Sequence, residues 1–182
     1  MRKEKEEERA IGHYHLGMLY WRGLGGEQDQ RAAVDCFARA AGDGFPRAQT
    51  AYGIALRSGA GVAKNNDMAR QQFRSAAGAG DGEAMVQLAT MSEPDDARRW
   101  LTRASELGYP PAMLHLSDFL MQRDPVDALS WLYAGVSFSG DDAARKRAAA
   151  LAREMSAAEI SSAQKAGRAY AKEIKTRLNG PR

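Results

Sequence analysis

Between residues 48 and 84 the apolar positions form two helical stripes joined by a glycine-rich turn. Ala48, Tyr52-Gly53 and Leu56 recur at intervals of three and four, as do Ala69, Phe73 and Ala76-Ala77. That spacing is one face of a helix. Gly59-Ala60-Gly61 supplies the turn between them. The stretch also recurs. Moved back 36 places, it lays Ala48 on Gly12, Tyr52-Gly53 on Leu16-Gly17, Gly59-Ala60-Gly61 on Gly23-Leu24-Gly25, and Phe73 on Phe37. A fixed period of this length is the signature of a stacked array of helix pairs.

The rest of the chain follows the same pattern with shorter turns. Residues 1–10 are charged and predict the solvated first turns of the first helix, with Arg2 and Glu6 paired one turn apart. That helix ends at Trp21-Arg22, and Asp29 is placed to cap the second. In the second repeat Asn66 or Asp67 is the expected cap. The third repeat lacks the glycine turn: Ser92-Glu-Pro-Asp follows almost directly, then Ala97, Trp100 and Ala104. The fourth turns at Asp124-Pro125 and continues through Ala128, Trp131 and Gly135. Phe37, Phe73, Trp100 and Trp131, with Tyr20, Leu56 and Leu120, are the expected gap fillers. Ser156 and Glu159 form a capping box for a last helix whose apolar stripe is Ile160, Ala163, Gly167, Tyr170 and Ile174. The expected fold is all-α and a single domain, residues 1–182. Its repeats fall near 12–47, 48–83, 84–111 and 112–142, with a helical cap over 143–178. The third repeat is expected to stack without its long loop.

Composition narrows the class. The chain has 182 residues, 44% hydrophobic and 27% charged, which is globular. No apolar run approaches the roughly 18 residues of a membrane span, and the charged start is no signal peptide. One cysteine, Cys36, excludes an internal disulfide. A net charge of +3, with interleaved signs, argues against nucleic acid as a partner. A cytoplasmic location is the default expectation; a mature fragment of a precursor would place the chain in the periplasm.

The residues also carry a resemblance. The pattern A-x-x-x-L-G-x-x-Y-x-x-G-x-G, a capping Asp, and then A-x-x-W-aromatic-x-x-A-A-x-x-G resembles the Sel-one-like repeat (SLR), a relative of the tetratricopeptide repeat. Leu16-Gly17, Tyr20, Gly23, Gly25, Asp29, Ala33 and Ala40-Ala41 carry it in the first copy. Ala48, Gly53, Gly59, Gly61-Val62, Asp67, Ala69, Ala76-Ala77 and Gly80 carry it in the second. Trp100 and Trp131 match the tryptophan of the pattern, from which Cys36 and Gln72 depart. Residues 155–164 look like the tail that often ends bacterial members. The resemblance implies a right-handed α/α superhelical solenoid of about four helix pairs with a C-terminal capping helix.

Candidate chemistry is sparse. His13 and His15 stand two apart, on different sides of a helix, and cannot chelate as an i,i+4 pair can. Cys36 occupies the slot of Trp100 and is expected to be buried and inert. Ser162 and Lys165 have S-x-x-K spacing without the context that gives it meaning. The glycine turns neither follow a strand nor end in G-K-[S/T], so they are not phosphate loops. The basic face of the last helix reads as a solvated face, with an acidic partner as the alternative. No catalytic, cofactor-binding or metal-binding residue is assigned.

The expected function is therefore a non-catalytic scaffold that binds a protein or peptide on its concave face. By likeness to tetratricopeptide repeats, that face is lined by the first helix of each pair. The residues placed on it are Tyr14, Met18, Trp21, Arg22, Arg47, Thr50, Ile54, Arg57, Glu83, Val86 and Asp118. Tyr14 and Trp21 could instead pack under the charged N-terminal segment. The alternative function is a regulatory or envelope-associated role at a membrane or peptidoglycan surface, although a membrane partner is not expected. A penicillin-recognising hydrolase stands behind both.

Overall fold

The computed structural model describes the backbone of residues 2–180 and the side chains of residues 4–180. The expected Arg2–Glu6 pair lies outside those side chains. Among the described residues there are ten helices and no strand: α1 Arg2–Arg22, α2 Gln30–Gly42, α3 Pro46–Ser58, α4 Asn66–Gly78, α5 Gly82–Ala89, α6 Pro94–Glu106, α7 Pro110–Leu120, α8 Pro125–Ser139, α9 Asp142–Ala152 and α10 Ala157–Asn179. The backbone contacts group into two compact units, residues up to Ala84 and residues from Met85 on, so the division falls inside α5.

Local chemistry sets the helix ends. The Asp29 carboxylate accepts the Ala32 N–H at 2.9 Å and so caps α2. The cap of α4 is Asn65, not Asn66 or Asp67: its Oδ1 accepts the Met68 N–H at 3.0 Å. Asp67 falls instead in the first turn, where its charge suits the positive helix end. Prolines open α3, α6, α7 and α8, where a missing N–H is not felt. Ser156 and Glu159 form the reciprocal capping box of α10.

In the first unit α1 packs on α2, while α3 packs on both α2 and α4. The core is Phe37 and Phe73 set among alanines: Ala33, Ala40, Ala48, Ala69, Ala76 and Ala77. Alanine at these places lets helix axes approach while the two rings fill the remaining volume. Leu56, on α3 between two neighbours, is 2% exposed, but Tyr20, its counterpart 36 residues earlier, is 38% exposed. Tyr20 therefore fills no gap among the described residues.

In the second unit one apolar cluster joins Leu101, Met113, Leu116, Leu129, Trp131, Leu132 and Ile174. Here α8 is the central helix, packed against α7, α9 and α10. Trp131 is buried as expected, but Trp100 is only half-buried. The register explains this. Leu101 and Leu132, not the tryptophans, take the places of Phe37 and Phe73, and both are buried. The tryptophan slot lies one residue earlier, at the edge of the core, and Trp131 is covered there by a helix the other repeats lack. Its ring stacks on Tyr170 of α10 at 4.6 Å, and the Tyr170 hydroxyl donates to Asp127 at 2.9 Å. Among the described residues no helix is long and apolar enough to cross a membrane.

Candidate functional site

The first-helix residues of the first unit come from two stripes. On α1, Tyr14, Met18, Trp21 and Arg22 recur at intervals of four and three, so they share a face. Tyr14, Met18 and Trp21 are half-buried and Arg22 is exposed. The Tyr14 ring meets Phe37 at 6.0 Å and Phe45 at 5.3 Å, and Trp21 meets Phe37 at 6.1 Å. Both aromatics are thus held by the core of their own repeat. On α3, Arg47 is exposed, and Ile54 and Arg57 are half-buried.

Thr50 does not present itself to a partner. It is 2% exposed, and its hydroxyl bridges the Pro46 carbonyl at 3.2 Å and the Asp81 carboxylate at 3.0 Å. Asp81 in turn accepts the Ala84 N–H at 2.8 Å, as an N-cap does. One carboxylate therefore starts α5 and ties it to α3. Sequence reasoning missed Asp81. The signal was there: an aspartate immediately before the helical stretch and three residues before its first buried alanine.

Charge gathers around the Tyr14 hydroxyl. Burial pushes that phenol upward from its ordinary value; Arg47 and Arg22 draw it down, and Glu83 and Asp81 push it up. The Glu83 carboxyl is itself raised, first by desolvation and then by the negative charge of Asp81. So Arg22, Arg47 and Glu83, expected on one face with Tyr14 from sequence, each act on the Tyr14 hydroxyl, from α1, α3 and the start of α5. Arg22 and Arg47 make no ion pair among the described residues. Glu83 adds a negative edge to an otherwise positive surface.

The remaining expected residues belong to the second unit. Val86 is half-buried against its apolar cluster. Asp118 is exposed but engaged: Arg147 of α9 donates to it at 2.6 Å.

No group of three His, Cys, Asp or Glu side chains among the described residues could hold a metal ion. Cys36 is half-buried rather than buried, since the core position is Phe37. Burial pushes its thiol upward and Arg39 only partly opposes that, so the nucleophilic thiolate is disfavoured. Ser162 and Lys165 are both exposed on α10, with no hydrogen bond between them.

The Sel1 repeat model matches residues 10–45, 46–81 and 83–109, more than half of the chain. The chain belongs to the Sel1 repeat family. Its fold is accordingly the all-α solenoid of that family, and Sel1 repeats act generally as protein-interaction scaffolds. Among solved structures the chain is similar to a Sel1 repeat protein from Oxalobacter formigenes. That similarity has 25% identity and a TM-score of 0.67, over 90% of this chain and 73% of that one. A protective antigen present in uropathogenic Escherichia coli strains and displaying an SLR fold matches at 17% identity and a TM-score of 0.48, over 95% of this chain and 49% of that one. No curated protein matches. The helices α7 and α8 lie outside the three matched repeats.

Proposed function

We propose that this Sel1 repeat protein is a non-catalytic adaptor whose first-helix face, within residues 1–84, receives an extended peptide or protein segment. In this reading α7 and α8 form a fourth repeat, and α9 and α10 close the array. The observation that carries the proposal is the Tyr14 cluster. Two exposed arginines, Arg22 and Arg47, flank an aromatic surface of Tyr14 and Trp21 that is braced from behind by Phe37. Braced aromatics lose little side-chain entropy on contact and are frequent interface anchors. Guanidinium groups without a carboxylate partner suit an acidic side chain or a chain terminus. Met18 and Ile54, half-buried beside them, add apolar surface for the segment between its charges.

The test is capture of partners by the intact protein from lysate, identification of a reproducible one, and titration of that partner. Trp21→Ala should weaken the complex more than Arg22→Ala or Arg47→Ala alone. Added salt should weaken it modestly, because exposed pairs contribute about 0–1 kcal/mol each. An affinity indifferent to all three substitutions would remove the site from this face.

A further inference from the structure

A second surface lies within the second unit, between α8 and α10. There α10 crosses α8 closely, because Gly167 carries no side chain: a Cβ at that position would come within 2.6 Å of the Ser130 carbonyl oxygen and 2.8 Å of Tyr133 Cβ. Beyond the crossing the helices part and leave a groove of about 650 Å³. Gly167, Ala171 and Tyr133 make an apolar floor. Arg168, Lys172 and Lys175, spaced four and three apart, form one continuous rim about 10 Å long.

Among the described residues the groove has cations and no acid: none of those lining it is Asp or Glu. The carboxylates of α10 are committed elsewhere: Glu159 to the capping box and Glu173 to Arg177. Among the described residues the rim cations find only neutral partners. Arg168 donates to the Gln164 carbonyl at 3.2 Å, and Lys175 donates to the Ser137 carbonyl at 3.3 Å while lying 5.2 Å from the Phe138 ring centroid. Lys172 makes no ion pair among the described residues. Both contacts of Lys175 hold its ammonium at the groove mouth instead of letting it swing into solvent.

We propose that this groove docks an acidic, amphipathic protein segment, with an apolar side chain over Gly167 and Ala171 and carboxylates against Arg168, Lys172 and Lys175. Charge complementarity selects the sign of the occupant. The recessed floor selects a segment over a lipid surface. A flat bilayer rests on protruding apolar groups, and none of the large exposed apolar side chains lines this groove. A peptide can insert a single side chain between the helices where a membrane cannot.

The probe is a short fluorescein-labelled peptide in which glutamates alternate with leucines. A peptide with lysine in place of glutamate and phosphatidylglycerol vesicles serve as the two comparisons. The intact protein should bind the glutamate peptide and not its lysine counterpart. Arg168→Glu and Lys172→Glu should each weaken binding about tenfold, as loss of a close interfacial charge pair does. Arg74→Glu on α4 changes net charge equally and should leave binding unaltered. Ser137→Trp fills the groove without touching its charges and should also weaken binding, with helicity by circular dichroism unchanged. Arg22→Glu and Arg47→Glu should bind this probe normally, which separates the groove from the first-helix face. Equal binding of both peptides, indifference to Lys172→Glu or failure of the glutamate peptide to bind overturns the proposal. Vesicle binding without peptide binding overturns it in favour of a lipid surface.

Discussion

The Phe73 ring of α4 lies against the backbone of α3 at Gly53, where an added Cβ would stand 2.6 Å from Phe73 Cε1. The same relationship holds 36 residues earlier, between Phe37 and Gly17, also at 2.6 Å. In the third and fourth repeats the register puts Ala89 and Ser117 in the glycine place, and Leu101 and Leu132 in the ring place. A Cβ appears where the ring has been replaced by a smaller side chain. The pair of positions keeps its combined volume, as close packing requires.

Gly53→Ala should therefore destabilise the protein by about 1–3 kcal/mol, the usual cost of overpacking a core. The effect should be smaller in a Phe73→Leu background, where the methyl group has room. Urea unfolding of the two single variants and the double variant measures the coupling. Strict additivity would mean that the ring and the glycine do not constrain each other.

Gly61 and Gly25 occupy equivalent turn positions, both with positive φ, +74° and +94°. They differ in what surrounds them. A Cβ on Gly61 would come within 2.3 Å of the Gln30 carbonyl oxygen at the start of α2, whereas nothing lies within 4 Å at Gly25. Gly25→Ala should cost only the left-handed backbone penalty, about 1–2 kcal/mol. Gly61→Ala should cost clearly more, because backbone would have to move as well. Thermal unfolding of the two variants gives the comparison, and equal losses would contradict it.

Both glycines read as turn makers in the sequence, and only the fold separates them. The period of 36 residues, the helix order and most caps were legible, because they depend on residue type and local spacing. Asp81, and the burial of Thr50 against it, were not. A threonine on a helix can satisfy its hydroxyl on its own helix, as Thr50 does at Pro46, so nothing in the local pattern points to a second acceptor 31 residues away. Tyr20 failed in the opposite sense. The pattern marked it as a packing residue, but packing needs a neighbour, and the spacing within one repeat does not show which helices surround it. The Tyr14 cluster was readable as a list of residues; the convergence of Arg22, Arg47 and Glu83 on the Tyr14 hydroxyl was not.

The contrast between Tyr20 and Leu56 gives a further expectation. Leu56→Ala should cost about 2–5 kcal/mol, as a truncation in a closed core does. Tyr20→Ala should change stability by no more than about 0.5 kcal/mol, as exposed substitutions usually do. Guanidinium unfolding midpoints decide between this and an equal role for the two residues.

Tyr170 links pH to the packing of α10. Burial, then its hydrogen bond to Asp127, pushes the phenol up to about 12. Its ordinary value is about 10. A folded value above the unfolded one means that folding favours the neutral phenol. The associated stability is complete below pH of about 10 and is lost as pH rises toward the folded value. Ultraviolet titration should show one tyrosine ionising later than the rest, and Tyr170→Phe should remove that late step. The same change should cost about 0.5–1.5 kcal/mol near neutrality, the net worth of one hydrogen bond. A titration curve unchanged by Tyr170→Phe would assign the late ionisation elsewhere.

Removal of α10 tests whether it is part of the core. Its Ala163, Gly167, Ala171 and Ile174 are buried, and Tyr170 covers Trp131. Ending the chain at Met155 would leave Trp131, Tyr133 and the Ser130 carbonyl facing water. That uncovers a large apolar area without removing any residue from α6, α7 or α8. Exposed apolar surface of this extent drives self-association. The shortened protein should melt at a lower temperature, bind a hydrophobic dye, and show the red-shifted tryptophan emission of a solvated Trp131. Trp21→Phe and Trp100→Phe in the same background isolate that signal, since Trp131 is the tryptophan stacked on Tyr170. An unshifted emission with an unchanged melting temperature would show α10 to be an appendage, and the α8–α10 groove would then be no rigid site.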